Sequence, residues 1–296
     1  MGKKIGIIAD TTADLPIGLA EHKGIELNPI HISINGESRL HGIDIINQEV
    51  LEHLKQKDEV VTAPPTPQEY YQIFKKASED YDQVYSMHVS RELSKCYDNA
   101  VLGLEMFIQK QKAEEKGIIV RNNISVIDTM GASISQGQIV NRLANIVKTQ
   151  HDLSKIDKYI QWLIKKTMMF FVVDNLYWLK KSGALNMFSG LFGKLLDIKP
   201  VVQLENGILT PVDNPKGKST AIENMFRIIR ATTPEYRRGI EIWVGHSASI
   251  LDAKYVRRQL SKIFKIQEKK IPLVEAGPTI VSHTGPGVVC VSIIPK

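Results

Sequence analysis

The sequence predicts an α/β protein with two domains. In the first half, a short apolar strand, a polar loop and a helix follow one another about four times, which is typical of a parallel sheet with helical crossovers. In the second half, hairpin signals alternate with helical segments. We therefore expect a mostly parallel sheet with helices on both faces over residues 1–166, and a mixed or antiparallel sheet covered by helices over residues 167–296. A chain of 296 residues is long enough for both.

Each predicted strand of the first half ends in a polar loop. The first strand, residues 5–9, runs into Asp-Thr-Thr-Ala-Asp-Leu-Pro, which predicts a helix capped by Asp14 with Pro16 in its first turn. Residues 62–67 predict a stiff extended loop, because three prolines in four residues exclude a helix interior or a central strand. The carboxyl ends of parallel strands share one edge of a sheet, so we expect these loop residues to cluster there: Asp10, Thr11, Thr62, Ser90, Ser94, Asp128 and Ser133.

The remaining elements follow from periodicity and turn residues. In the first half they are an extended segment at 25–34 with a hairpin-type turn at Asn35-Gly36, helices at 48–57, from 66 or 67 to about 79, from the loop after Ser94 to about 115, from about 133, and at 154–166, and strands at 83–89 and 124–127. In the second half they are strands at 168–173, 198–204, 208–212, 240–245, 271–274 and 288–294, a hairpin turn at Glu205-Asn206-Gly207, and helices at 175–181, 220–232 and 250–264.

One late segment, residues 275–287, carries three glycines and two prolines around a histidine. This composition predicts a stiff loop that presents His283 as a hydrogen-bond donor or proton carrier. Gly285 and Gly287 would allow the backbone to approach a ligand closely. A tight turn with a surface histidine is the simpler interpretation.

Composition excludes several classes of protein. Hydrophobic residues make up 43% and charged residues 24%, and no run approaches the roughly 20 apolar residues of a membrane span. The apolar run near the start is too short for a signal peptide, so we expect a cytoplasmic protein without stable membrane insertion. The net charge of +6 is spread among acidic residues, which argues against nucleic-acid binding. The two cysteines, Cys96 and Cys290, lack metal-ligand spacing, so no metal is expected.

Catalytic motifs are incomplete. Residues 245–249 lack the second glycine of a nucleophile elbow, and residues 217–220 lack the first glycine of a phosphate-binding loop. Asp10, Asp128 and His283 could form a metal or acid–base site, although no spacing rule links them. Ser94 and His283 could act as nucleophile and base, but donation of hydrogen bonds to an anion is the interpretation we favour, because no carboxylate is placed to orient the histidine.

Five stretches together carry a family resemblance: residues 8–15 (Ile-Ala-Asp-Thr-Thr-Ala-Asp-Leu), 61–67 (Val-Thr-Ala-Pro-Pro-Thr-Pro), 93–100 (Leu-Ser-Lys-Cys-Tyr-Asp-Asn-Ala), 126–133 (Val-Ile-Asp-Thr-Met-Gly-Ala-Ser) and 275–287. In this order and spacing they resemble the DegV family of bacterial fatty-acid-binding proteins. The resemblance implies two α/β domains, one buried long-chain fatty acid, and no catalysis by the chain itself. It also implies a separate fatty-acid kinase as partner and no cofactor besides the bound fatty acid.

The resemblance assigns residues to the ligand site. It implies that Thr62, Ser94 and His283 surround the fatty-acid carboxyl group, with Thr284 and Gly285 beside them. Apolar candidates for the tunnel lining are Met168, Phe170, Phe188, Leu191, Phe192, Leu195 and Ile280. Ordinary core packing is the alternative role for each apolar residue.

Several positions depart from the family pattern. Ala63 and Pro64 replace a serine and a glutamine, and Lys95-Cys96 replace a small, flexible pair. Ala184 stands where the family has an arginine, and the basic stretch at 216–218 supplies only lysines. Because arginine and lysine are not interchangeable at bidentate anion sites, the kinase partnership is less well supported than lipid binding. An enzyme using Ser94, His283 and Asp128, and a regulatory protein with a permanently occupied lipid pocket, are the competing hypotheses.

Overall fold

The computed structural model describes residues 3–114, 122–181, 198–233 and 239–296. Within these ranges the strands are, in chain order, β1 (Ile5–Asp10), β2 (Ile25–Asn28), β3 (His31–Ile34), β4 (Glu37–Leu40), β5 (Val60–Ala63), β6 (Gln83–His88), β7 (Ile124–Asp128), β8 (Met168–Val172), β9 (Val201–Glu205), β10 (Ile208–Asp213), β11 (Ile240–His246), β12 (Leu273–Glu275) and β13 (Val289–Pro295). The helices are α1 (Leu19–Lys23), α2 (Asn47–Gln56), α3 (Pro67–Asp80), α4 (Cys96–Glu114), α5 (Ser133–Ile146), α6 (Leu153–Lys166), α7 (Leu176–Lys181), α8 (Lys218–Thr232), α9 (Ile250–Phe264) and α10 (Pro278–Thr284), with a 3₁₀ turn at Glu268–Lys270.

The first half of the chain forms a parallel sheet between two helical layers. Its strand order is β2-β1-β6-β7, and every pair is parallel. On one face, Tyr70 and Phe74 of α3 pack with Phe107 of α4. On the other face, Leu143 of α5 packs with Ile160 of α6. The predicted α/β class, with a parallel sheet covered on both faces, is therefore confirmed.

The second half forms a mixed sheet of order β10-β9-β8-β13-β11-β12, in which β11 and β12 run parallel and the other neighbours antiparallel. One face packs on α8 and α9 through Phe226 and Leu260. The other face packs on α5 through Ile134. The prediction of a mixed sheet covered by helices is confirmed. The boundary between residues 166 and 167 falls between α6 and β8, and the division into domains there stays a prediction.

A third sheet was not expected. Strands β4, β3 and β5 form an antiparallel sheet of their own, and Asn35 and Gly36 make its hairpin turn with φ of 50° and 90°. Thr62 therefore lies within β5, paired with Ile32, and the expectation that it lies in a loop at the edge of the parallel sheet is wrong. The prolines begin only at Pro64, so residues 60–63 keep the N–H groups that pair with β3.

Two local predictions are also wrong. Residues 278–284 form α10, with Gly277 as N-cap and Pro278 in the first turn, so His283 lies on a helix and not on a stiff loop. This helix is too short for a periodic pattern to show in the sequence, and Val281 anchors it by packing against α2. Asp14 caps no helix, because α1 begins only at Leu19. The extended segment predicted at 25–34 is divided into β2 and β3, which belong to different sheets. The other predicted elements that fall on described residues lie within a few residues of the observed bounds.

Candidate ligand-binding site

A cavity of about 510 Å³ lies between elements from both halves of the chain. This volume falls within the range of roughly 300–1,000 Å³ that is usual for small-molecule sites. Its wall is mainly apolar, with contributions from the loops after β1, β2 and β6, from the sheet strands β8, β9, β10 and β13, and from α10. Prominent apolar lining residues are Ile30, Leu93, Met169, Phe171, Leu204 and Val288.

Strand alternation decides which β8 residues reach the cavity. Met169 and Phe171 line it, whereas Phe170 is fully buried on the opposite face, in the core against α8 and α9. The prediction that Phe170 lines the tunnel is therefore wrong, and Met168 packs on the same opposite face. Met168 and Phe170 are two residues apart and share one face of β8, as strand alternation requires. The sequence does not show which face of a fully apolar strand borders the cavity.

The other predicted lining residues have different outcomes. Ile280 lies on the cavity wall, as its neighbours on α10 do. The remaining candidates lie outside the residues that the structure describes, as does the position where the family arginine is replaced: Phe188, Leu191, Phe192, Leu195 and Ala184.

Thr62 and His283 form one polar unit on the cavity wall. Thr62 Oγ1 and His283 Nε2 are 2.8 Å apart, although the residues are far apart in sequence. Burial lowers the pKa of His283 below its usual value of 6.5, so the ring is neutral at neutral pH. With its proton on Nε2, the ring donates to Thr62 and leaves the threonine hydroxyl proton available to an anionic ligand.

Ser94 reaches the same cavity from the loop before α4. Backbone N–H groups of Leu93 and Ser94 donate to the Ser90 carbonyl, which fixes this turn. The Ser94 hydroxyl donates to Cys96 Sγ at 3.1 Å, and burial raises the pKa of that thiol well above its usual range. The replacement at Cys96 thus places a neutral sulfur acceptor behind the serine that faces the cavity.

Thr284 and Gly285 complete the predicted ligand set. Thr284 lies on the cavity wall, but its hydroxyl donates to the Ile280 carbonyl at 2.9 Å within α10. Gly285 packs beneath an indole: a Cβ built there would lie 2.0 Å from Cδ1 of Trp178. A Cβ on Gly287 would lie 2.6 Å from Asp174 Oδ2. The close approaches at these glycines are therefore to the protein's own side chains, and not to a ligand as expected.

Replacing Gly285 by alanine should destabilise the protein. The new methyl group overlaps Trp178 and the residue must keep a φ of 66°. Gly217→Ala is the matched control, since Gly217 has a φ of 77° with nothing within 4 Å of a Cβ. We expect Gly285→Ala to lower the free energy of unfolding by about 1–3 kcal/mol more than the control, measured by denaturant unfolding. Equal losses of unfolding free energy in the two variants would show that the Trp178 side chain moves aside with no loss of stability.

The expected cluster of polar loop residues is only partly formed. Ser94, Thr62 and Ser133 line the cavity, whereas Asp10 and Asp128 do not appear on its wall. Asp10 is fully buried and accepts hydrogen bonds from the Tyr70 hydroxyl and the Val89 N–H. Asp128 Oδ1 accepts a hydrogen bond from the Met130 N–H at 2.8 Å. Both carboxylates thus stabilise the strand ends.

Some polar residues at the cavity were missed by sequence reasoning. Thr12, Ser247 and Thr279 line it, and so does Lys95, whose side chain is 73% exposed and whose Nζ lies 3.0 Å from Asp98 Oδ2. The motif around Thr12 was recognised, but nothing in a single sequence shows which of its side chains turn inward.

Two features are absent from the part of the chain that the structure describes. Among the residues with described coordinates, no group of three or more His, Cys, Asp and Glu side chains is placed to hold a metal ion. In the same part of the chain, no helix has both the length and the apolar character needed to cross a membrane.

Comparisons with a family model, a sequence relative and solved structures all match this chain to DegV proteins. The family model for DegV matches residues 4–296. A DegV domain-containing protein of Staphylococcus aureus is 27% identical over 296 residues, which covers 100% of both chains. A solved DegV family structure from Thermus thermophilus, described as fatty acid binding, superposes with a TM-score of 0.87 at 25% identity, covering 99% of this chain and 100% of that one. A DegV fatty acid binding protein from Bacillus subtilis shares the fold with a TM-score of 0.83 at 20% identity, covering 99% and 100%.

Proposed function

The chain belongs to the DegV family, and we propose that it binds one long-chain fatty acid in the cavity, with the carboxyl group beside Thr62, Ser94 and His283. The observation that carries this proposal is the pairing of Thr62 with His283 on the wall of an otherwise apolar cavity. The Thermus thermophilus relative, described as fatty acid binding, supports the same class of ligand.

The apolar wall provides the affinity. Each methylene transferred from water contributes about 0.8 kcal/mol, so about 15 methylenes give a gross driving force on the order of 12 kcal/mol. Association and ordering of the chain oppose binding by roughly 4–15 kcal/mol. A long acyl chain is therefore needed for useful affinity, and a short acid would bind weakly.

The polar residues decide the orientation of the ligand. A buried carboxylate without hydrogen-bond partners is strongly disfavoured. The Thr62 hydroxyl, oriented by the neutral imidazole of His283, offers such a partner, and the Ser94 hydroxyl offers a second when it rotates from Cys96 Sγ to the ligand. The apolar strands β8 and β9 suit the hydrocarbon chain. Lys95 is the one lysine or arginine among the described lining residues, and its pairing with Asp98 leaves the head group mainly to neutral donors.

We infer a carrier role from the same arrangement. The Ser94 hydroxyl hydrogen-bonds a cysteine, and the Asp128 carboxylate is bonded to a backbone N–H, which does not favour a nucleophile–base–acid triad of Ser94, His283 and Asp128. Delivery of the bound acid to a separate kinase that phosphorylates its carboxyl group is the role that family membership suggests. It requires the head group to lie near the surface, as the exposed Lys95 at the cavity wall allows.

Titration of delipidated protein with oleate and with oleyl alcohol tests the proposal. Both ligands place the same hydrocarbon in the cavity, but only the acid offers a carboxylate to the polar residues. We expect a single site and an affinity for oleate about 10-fold or more above that for the alcohol, since hydrogen bonds to charged groups contribute roughly 1.5–3 kcal/mol. Absence of binding by both ligands would refute the function, and equal affinities would refute the carboxyl site.

A further inference from the structure

Three side chains from the first half of the chain hold the segment that leads into α10. Asn47 Nδ2 donates to the Ala276 carbonyl at 2.6 Å, and the Gly277 N–H donates to Asp14 Oδ1 at 2.7 Å. His41 Nδ1 and Thr279 Oγ1 are 2.8 Å apart. We refer to Asp14, His41 and Asn47 as the clasp.

The clasp fits closely around Gly277. A Cβ on this residue would lie 2.5 Å from His41 Nε2 and 2.9 Å from Asp14 Oδ1, so only glycine fits between the two side chains. Asp14 is just 6% exposed, and its other oxygen accepts a hydrogen bond from the Ser133 hydroxyl at 2.5 Å. One carboxylate therefore joins the first residue of α5 to the N-cap of α10.

The helix that the clasp holds carries part of the cavity wall, including His283. Ile280, His283 and Thr284 lie on α10, and His283 must reach Thr62 on β5. With only seven residues, α10 depends on tertiary contacts for its position. A displacement of its N-terminal turn would move His283 away from the ligand's head group.

We propose that Asp14 is a positioning residue, whose ionised carboxylate holds α10 in the binding-competent position and whose protonation lowers the affinity for fatty acid. This inference rests on the fatty-acid-binding function proposed above. An ionised carboxylate accepts both hydrogen bonds with the added strength of its charge, whereas a protonated one offers the Gly277 N–H only a neutral acceptor. The observed affinity is the intrinsic affinity multiplied by the fraction of molecules in which α10 is correctly placed, so protonation that lowers this fraction weakens binding.

The titration of Asp14 falls in the physiological range. Burial raises its pKa from 3.8 to about 7, and the hydrogen bonds from Ser133 and Gly277 oppose this shift. Of the titratable groups that face it, His41 has a pKa lowered by burial to about 4, and burial raises the pKa of the Cys290 thiol far above neutrality. Both groups stay neutral between pH 5.5 and pH 8.5, the range that brackets the Asp14 pKa of about 7.

Asp14→Asn tests the inference, because the amide has the shape of the carboxyl group and mimics its protonated form at every pH. The dissociation constant for oleate is measured for the wild type and the variant across the window. Titration of the ligand and of His283 affects both proteins and cancels in the ratio. We expect the variant to bind about 5-fold more weakly at the alkaline end, from the difference between charged and neutral hydrogen bonds, and equally well at the acidic end.

Three further measurements separate the possible explanations. Asn47→Ala should weaken binding by a similar factor at all pH values, and Asp80→Asn at an exposed position should change nothing. In the ligand-free protein at alkaline pH, amide hydrogen exchange at 277–284 should be faster in Asp14→Asn, which is measurable even if no fatty acid binds. The thermal midpoint of Asp14→Asn there should be no lower than that of the wild type, because the variant removes a buried charge.

A ratio of dissociation constants that does not vary with pH would overturn the inference, as would unchanged exchange in α10. A lower midpoint with weaker binding at every pH would indicate a merely structural role and overturn it too. Failure of the wild type to bind oleate at all would instead refute the proposed function, so the two failures are distinguishable.

Discussion

Replacing Leu204 by tryptophan is expected to weaken the binding of oleate about 100-fold. Leu204 is 3% exposed, lies on β9 opposite Met169, and borders the cavity. The larger ring occupies space that the acyl chain needs, and displacing three or four methylenes costs about 3 kcal/mol at roughly 0.8 kcal/mol each. The substitution removes space for the acyl chain and leaves the polar residues in place. Decanoate, whose chain is shorter, should therefore lose much less affinity than oleate.

The control for Leu204→Trp is the same substitution at Leu251, which is 78% exposed on α9. Isothermal titration with both acids measures the effect, and circular dichroism on heating checks that the fold persists. An unchanged affinity for oleate in a folded Leu204→Trp protein would show that the acyl chain does not occupy this part of the cavity.

Replacing His283 by leucine is expected to lower the affinity for oleate about 10- to 100-fold, because the Thr62 hydroxyl loses the ring partner that directs its hydrogen bond to the charged carboxylate. Leucine fills much of the space of the imidazole, so the apolar part of the site is kept. The affinity for oleyl alcohol should change far less than that for oleate.

His151→Leu at an exposed position is the matched control for His283→Leu. Titration of both variants with the acid and the alcohol measures the difference between the two ligands directly. An equal loss for acid and alcohol would place the carboxyl group elsewhere and leave His283 with a packing role.

Strong local signals made much of the fold predictable. The turns Asn35-Gly36 and Asn206-Gly207 adopt the positive φ angles that their residues favour, and each joins antiparallel neighbours. The alternation of apolar strands with polar loops correctly indicated the parallel sheet. Thr62 was expected in a loop at the edge of the parallel sheet but lies in β5 of the third sheet, because a short strand that pairs through its backbone gives no sequence signal of which sheet it joins.

The candidate site was predictable only where a motif singled out its residues. Thr62, Ser94 and His283 were named from the resemblance, and they line one cavity. The choice of Phe170 over Phe171 failed because a strand that is buried on both faces has no polar residues to mark its orientation.

The role of Asp14 shows a second limit of sequence reasoning. Its position before a proline resembles a helix cap, but its two hydrogen-bond partners, Ser133 and Gly277, are distant in sequence. Such contacts depend on how the two halves of the chain pack, and no spacing rule expresses them.

A crystal structure of the protein with oleate tests the central claim most directly. We predict continuous density in the cavity, with the chain along Met169 and Phe171 and a carboxylate oxygen within about 3.2 Å of Thr62 Oγ1 or Ser94 Oγ. An empty cavity at saturating oleate, or a chain that enters with its carboxylate at the end away from Thr62, Ser94 and His283, would contradict it.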